Sequence, residues 1–262
     1  MTLMDRLFAA RDAVIAAGYT PAYLAIYGSQ NYGLALDTAQ YRSDVDIKCA
    51  VLPDLHALVC EEQVKPAVLD WEGGQIEIKD ARRFAEVAGK MNPAYLETLM
   101  TPHYLSLCPQ FEAMRSLAAD LPAMDSADFL QTCRGVAMLK KKNLQHPFPA
   151  AMEKIRRYGY DGKQAHHMVR MLLVMRLFEE TGRYVLEAPK EEYDFLIALK
   201  KNEIPLEQAL SLTETWAKEM EEICLRAGRA RGGAKHAQRE MRALACAAIE
   251  ERVLSEFGKN AR

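Results

Sequence analysis

Apolar residues recur at helical spacing from Leu3 to Ala17, and Gly18 ends the run. Two strand-like runs follow: Tyr23–Tyr27, ending at Gly28, and Val45–Leu52, closed by Pro53. Ala67–Trp71 and Gln75–Lys79 flank Gly73-Gly74, the signal of a hairpin. Within the last run, strand alternation turns Ile76 and Ile78 to one side and Glu77 to the other. Ala81–Lys90 reads as a helix, and Asn92-Pro93 opens another. From about Phe111 onward strand signals nearly vanish. Helices are predicted over Asp128–Leu144, Gly162–Thr181, Lys190–Lys200, Leu206–Ala227 and Ala234–Phe257, separated by Gly and Pro breakers. The pattern predicts an α+β chain, with a small mixed sheet in residues 1–108 and an all-helical domain in 109–262.

The chain has 262 residues, enough for a substantial core. With 50% hydrophobic and 27% charged residues it excludes disordered and collagen-like classes. The net charge of −2 removes any bulk electrostatic case for nucleic-acid binding, so a basic site must be local. Two such clusters exist, Arg134–Arg157 at net +6 and Arg226–Arg242 at net +5. Each is either a track for a nucleic-acid backbone or a solvated helix face. Six scattered cysteines without a CxxC pair argue against a zinc ribbon and suggest reduced thiols in a cytoplasmic protein. The N-terminus reads as an amphipathic helix rather than a signal peptide, and no apolar stretch is long enough to span a membrane.

Chemistry concentrates in Ile26–Gly33 and Arg42–Ile47. A strand running into Gly28-Ser29, with a short helix expected after it, offers backbone N–H groups and the Ser29 hydroxyl to a phosphate. Asp44 and Asp46, two apart on a predicted strand, point their carboxylates to one face. A divalent cation relieves their mutual repulsion, and Mg²⁺ takes one or two carboxylates together with substrate phosphates; Mn²⁺ would serve likewise. Glu77 is a third carboxylate, either a metal ligand or the base on an attacking hydroxyl. Taken singly, each feature has an ordinary alternative: a turn, a strand cap, a solvent-facing strand residue. Their order is what points to nucleotide chemistry. A second set, Lys163, His167 and Arg170, shares one face of an otherwise apolar helix and suits a triphosphate or a nucleic-acid backbone, with an internal salt bridge as the alternative. His166 leaves that helix about 100° away and reads as structural.

Gly28-Ser29, a gap of fourteen residues from Gln30 to Ser43, then Asp44-Val45-Asp46 resembles the DNA polymerase β-like nucleotidyltransferase superfamily. The gap is slightly long for that signature, with Asp37–Arg42 reading as an extended loop. Ile76-Glu-Ile-Lys-Asp80, Asn92-Pro-Ala-Tyr-Leu-Glu-Thr-Leu99, Thr101-Pro102, Lys163-x-x-x-His167-x-x-Arg170 and Gly182 extend the likeness over most of the chain. Together they resemble the RNA repair pathway DNA polymerase β family of predicted nucleotidyltransferases. The resemblance implies a palm-like sheet domain and a helical domain closing its cleft. It implies transfer of an NMP from an NTP to an acceptor hydroxyl, with Asp44, Asp46 and Glu77 as the metal triad. Gly28 and Ser29 then hold the triphosphate, and Lys163, His167 and Arg170 face the cleft. RNA is the acceptor its name suggests. Protein or small-molecule nucleotidylation, and a non-catalytic nucleic-acid-binding module, are the alternatives.

Overall fold

The computed structural model describes residues 2–36, 43–71, 74–228 and 233–260. The expected loop Asp37–Arg42 and the Gly73 of the hairpin lie outside the described residues. The structure is α+β, with a small five-stranded mixed sheet and many helices. The chain divides into two compact units, Met1–Leu121 with Gly232–Arg262, and Pro122–Arg231.

The first unit runs α1 (Leu3–Ala16), β1 (Thr20–Tyr27), β2 (Asp46–Leu52), α2 (Leu55–Val59), β3 (Ala67–Trp71), β4 (Gly74–Asp80), α3 (Ala81–Gly89), α4 (Pro93–Met100), β5 (Tyr104–Ser106) and α5 (Pro109–Met124). Thr2 and Asp5 form a reciprocal cap that starts α1, each side chain accepting from the other's backbone N–H. The sheet order is β3-β4-β2-β1-β5, with β2 and β4 parallel and the other pairs antiparallel. Alternation decides what each face buries. Leu24, Ile26, Ile47, Cys49, Val51, Ile76 and Ile78 turn to one face and pack with Leu7, Ala10 and Val14 of α1. Tyr23 turns to the other, stacked on Phe111 of α5 and edge-on to Phe84 of α3. Its hydroxyl donates to Thr98 O and accepts from Arg115, so the aromatic ring is buried without stranding its polar tip.

Helices α2 and α5 and strand β5 go beyond the elements read from periodicity. α2 has five residues, β5 has three, and α5 carries Pro122 near its end, so none shows a sustained pattern. The last helix, α11 (Gly233–Asn260), belongs to the first unit rather than to the helical one. It packs on α3 where Gly89 lacks a side chain: a Cβ there would lie 2.7 Å from Gln238 Cα. Arg252 of α11 also donates to Leu52 O and Pro53 O at the end of β2. Helical periodicity cannot say which neighbour a helix packs against.

The second unit contains α6 (Ser126–Asn143), α7 (Met152–Tyr158), α8 (Gly162–Thr181), α9 (Tyr193–Lys200) and α10 (Leu206–Ala227). The expected helix over Lys190–Lys200 is a 3₁₀ turn, Lys190–Glu192, followed by α9. α8 is buried nearly all round and packs against α6, α9 and α10. Asp161 caps it, accepting from the Lys163 N–H and the Gln164 side chain.

Candidate active site

β1 and β2 run antiparallel with Tyr27 opposite Asp46. The Gly28 turn leaves the end of β1, and Asp46 stands at the start of β2, so both lie at the same end of this central strand pair. Gly28 takes a φ of 88°, open to glycine at little cost. The following residues form successive turns, with Asn31 N–H on Gly28 O and Leu34 N–H on Ser29 O, instead of the expected short helix. The Asn31 side chain donates back to Ile26 O near the end of β1. The helix-terminus argument for a phosphate site at Gly28 therefore does not hold here. Moreover, the Gly28 N–H is already used, donating to Glu97 Oε1 at 2.6 Å. Ser29 is half-buried.

Asp44 is exposed just before β2, and Asp46 is half-buried at its first residue. Lys48 follows on the same face, 6% exposed, and stands directly across from Glu77 on β4. As alternation predicts, Ile76 and Ile78 are buried while Glu77 stands on the opposite face. Its Oε2 pairs with Lys48; its Oε1 meets Lys79 at 3.3 Å and accepts from the Tyr95 hydroxyl at 3.2 Å. Lys79 also donates to that hydroxyl. The Lys48 ammonium sits 3.9 Å from the centre of the Tyr27 ring and 5.2 Å from that of Tyr95, so both aromatic faces help offset its burial. Burial pushes the Glu77 carboxyl up, but Lys48 and Lys79 outweigh it and hold it below the ordinary carboxylate value. Burial, then Asp46, Glu77 and Glu97, all push the Tyr27 phenol up, which sets all three carboxylates within electrostatic reach of one ring.

Asp44 and Asp46 supply the hard carboxylate oxygens that Mg²⁺ takes, and in that respect they fit it. Both oxygens of Glu77 serve lysines and Tyr95, so Glu77 would join a metal only by giving up part of that network. Among the described residues, no group of three or more His, Cys, Asp or Glu side chains is gathered in a way that could hold a metal ion. Glu97, Lys48, Tyr27 and Tyr95 carry much of this site, yet sequence reasoning singled out none of them. The available signals were modest: Lys48 continues the two-residue spacing of Asp44 and Asp46, and Glu97 is the one acid in the apolar run Pro93–Met100.

Lys163, His167 and Arg170 belong to the second unit, on α8. Lys163 is exposed, His167 half-buried and Arg170 buried. Lys140 of α6 joins them: burial, then Lys163 and Arg170, hold its ammonium below the ordinary lysine range. Burial, then His166, Arg170, Lys140 and Lys163, keep His167 well below the usual histidine value, so it is neutral near pH 7. His166 is buried against Leu196 O at 2.9 Å, and burial lowers it to about 4, in keeping with a structural role. The basic cluster 134–157 is partly neutralised by ion pairs, Arg134–Glu221, Lys141–Glu214 and Lys154–Asp161. In the other cluster Arg226 pairs with Glu179, while Arg229 and Arg231 lie outside the described residues.

No family model matches this chain, and no curated protein matches it.

Proposed function

We propose that this chain is a polymerase β-like, metal-dependent nucleotidyltransferase that moves an NMP from an NTP to an acceptor hydroxyl, with RNA as the acceptor. The observation that carries this reading is the pairing of Tyr27 with Asp46, which sets the Gly28-Ser29 turn beside the Asp44/Asp46 pair at one end of the β1–β2 strand pair. A phosphate donor and the cation it brings need such neighbours.

In this reading the acceptor oxygen attacks the α-phosphorus, the bond to the β-phosphate bridging oxygen breaks, and pyrophosphate leaves. Asp44 and Asp46 would hold Mg²⁺ or Mn²⁺, which would supply positive charge against the charge developing on the phosphates. Gly28 supplies the sharp bend of the loop, and the Ser29 hydroxyl donates to a phosphate oxygen. Glu77, kept ionised by Lys48 and Lys79, is the third carboxylate and either joins the metal or takes the acceptor's proton. Lys163, His167 and Arg170 bind a phosphate-bearing part of the substrates as cationic and hydrogen-bonding groups.

The test is incubation with each α-labelled NTP, Mg²⁺ and total RNA or cell lysate, followed by identification of the labelled species. Label is expected in RNA and is expected to vanish in Asp44→Asn and Asp46→Asn, both of which should remain folded. Label in protein or a small molecule would move the acceptor to the alternative class. Absence of label with every NTP, or wild-type transfer by both variants, would overturn the reading.

A further inference from the structure

Helices α6 and α8 of the second unit lie side by side and antiparallel, with their register pinned at both ends. The Asp161 N–H, just before α8, donates to Leu144 O, just after α6, at 2.8 Å. At the other end Phe129 packs on Phe178, ring centres 4.9 Å apart. Leu130, Cys133, Ala137 and Leu144 form a buried stripe of α6 at helical spacing, and Lys140 falls on that stripe. One turn before Leu144, it lies beside the first turns of α8, where Lys163, His167 and Arg170 follow one another at i, i+4 and i+7. Other cations of the same segment point elsewhere: Arg134 and Lys141 reach Glu221 and Glu214 of α10.

A half-buried lysine on a packing stripe, facing further cations, is unfavourable in itself. Burial, then Lys163 and Arg170, lower its pKa, and Asp161 offsets only part of that. The Asp161 carboxylate is occupied by the α8 cap, accepting from the Lys163 N–H and the Gln164 side chain, with Lys154 at 3.4 Å. Among the described residues no carboxylate lies within ion-pair distance of Lys140 or Lys163. An anion bound between the two helices reverses the balance, because it is drawn by the same cations that repel Lys140. His167, neutral near pH 7, adds a ring N–H donor without adding charge. Ammonium, guanidinium and imidazole donors together suit the several acceptor oxygens of a phosphate.

We propose that Lys140 of α6 joins Lys163, His167 and Arg170 of α8 in a phosphate-binding site that is complete within the second unit and needs no divalent cation. Two sources carry that chemistry, the polyphosphate of a nucleotide and the phosphates of RNA. The inference rests on the nucleotidyltransferase reading for these sources and deepens it. It adds a binding residue from a second helix, and it makes this contact independent of any metal at Asp44 and Asp46.

The probes are inorganic pyrophosphate, ATP, and a single-stranded oligoribonucleotide with and without a 5′-phosphate. Each is titrated calorimetrically into the full chain in EDTA at one fixed salt concentration, since phosphate contacts weaken with salt. Lys140→Met keeps most of the side-chain volume and removes the charge; Lys140→Gln removes the charge and keeps a polar end. Lys163→Met removes the exposed cation across the helix pair. Lys142→Met, at an exposed position of the same basic segment, controls for general surface charge. Melting temperatures verify that each variant is folded.

Wild type is expected to bind pyrophosphate in EDTA. The Lys140 variants and Lys163→Met should each weaken that binding by about tenfold or more, the loss of one charge-assisted hydrogen bond. Lys142→Met should change it by less than about threefold. Without ligand, Lys140→Met should melt no lower than wild type, because a repelled and half-buried charge is gone, and pyrophosphate should raise its melting temperature less. Lys140-dependent affinity for ATP assigns the site to the nucleotide; Lys140-dependent affinity for the 5′-phosphorylated oligoribonucleotide alone assigns it to the acceptor; either supports the site. Folded Lys140 variants with wild-type affinity, an equal loss in Lys142→Met, or failure of both Lys140 variants to fold would overturn the inference. Label transfer from an NTP by a wild-type protein that binds no pyrophosphate in EDTA overturns the inference alone. Lys140-dependent pyrophosphate binding without transfer from any NTP keeps the phosphate site and overturns the nucleotidyltransferase reading.

Discussion

Lys48→Met isolates the charge network beneath the candidate site. The substitution keeps most of the side-chain volume and removes the ammonium that pairs with Glu77 and sits against Tyr27. Removing one partner of a buried ion pair costs about 3–5 kcal/mol, because the other charge is left behind. Here the cost is smaller. The Glu77 side chain is 30% exposed and keeps Lys79 at 3.3 Å and the Tyr95 hydroxyl at 3.2 Å, which brings the expectation to about 2–3 kcal/mol. The protein has two tryptophans, Trp71 on β3 and Trp216 on α10. In a Trp216→Phe background, Trp71 fluorescence during urea unfolding therefore reports on the first unit. The loss should depend on pH. Glu77 titrates below its ordinary value of 4.5, so its pairing contributes stability above that value and loses it as pH falls through the lowered value. The gap between wild type and Lys48→Met should accordingly be widest near pH 7 and shrink as Glu77 becomes protonated. Glu77→Gln added to Lys48→Met should recover part of the loss, giving a coupling of about 1–2 kcal/mol. A coupling below roughly 0.5 kcal/mol, or a gap unchanged down to acid pH, would refute the network as described.

Gly89→Ala should lower the melting temperature of the first unit, because its Cβ would meet the Gln238 backbone at 2.7 Å and the helices must separate, at a cost of about 1–3 kcal/mol. A neutral or stabilising outcome, as helix propensity alone predicts, would show that α11 does not pack so closely on α3. Arg170→Ala should weaken pyrophosphate or NTP binding by roughly ten- to a hundredfold, the effect of losing a charge-assisted hydrogen bond. His166→Ala should instead lower stability, by opening a cavity and releasing Leu196 O, with little change in that affinity. Equal effects of the two variants on binding would assign the whole α8 stripe a structural role.

The α+β class, four of the five strands and the long helices other than α5 were legible in the sequence, because hydrophobic periodicity is a local property of a few turns or a few strand residues. So was the side to which Glu77 turns, since strand alternation makes Ile76 and Ile78 its opposites. The candidate residues Gly28, Ser29, Asp44 and Asp46 could be named because they cluster within about twenty positions. What surrounds them was decided by the tertiary structure. Glu97 reaches Gly28 across 69 positions, Tyr95 reaches Glu77 across 18, and Lys48 meets Glu77 across 29. No local pattern encodes such meetings: they depend on β2 and β4 lying side by side and on α4 packing near β1. The same holds for α11. Its amphipathic spacing specifies a helix, but only Gly89 on α3 and the carbonyls after β2 determine that it returns to the first unit. Periodicity fixes which face of an element is apolar; the partner that covers it is chosen by packing between segments far apart in the chain.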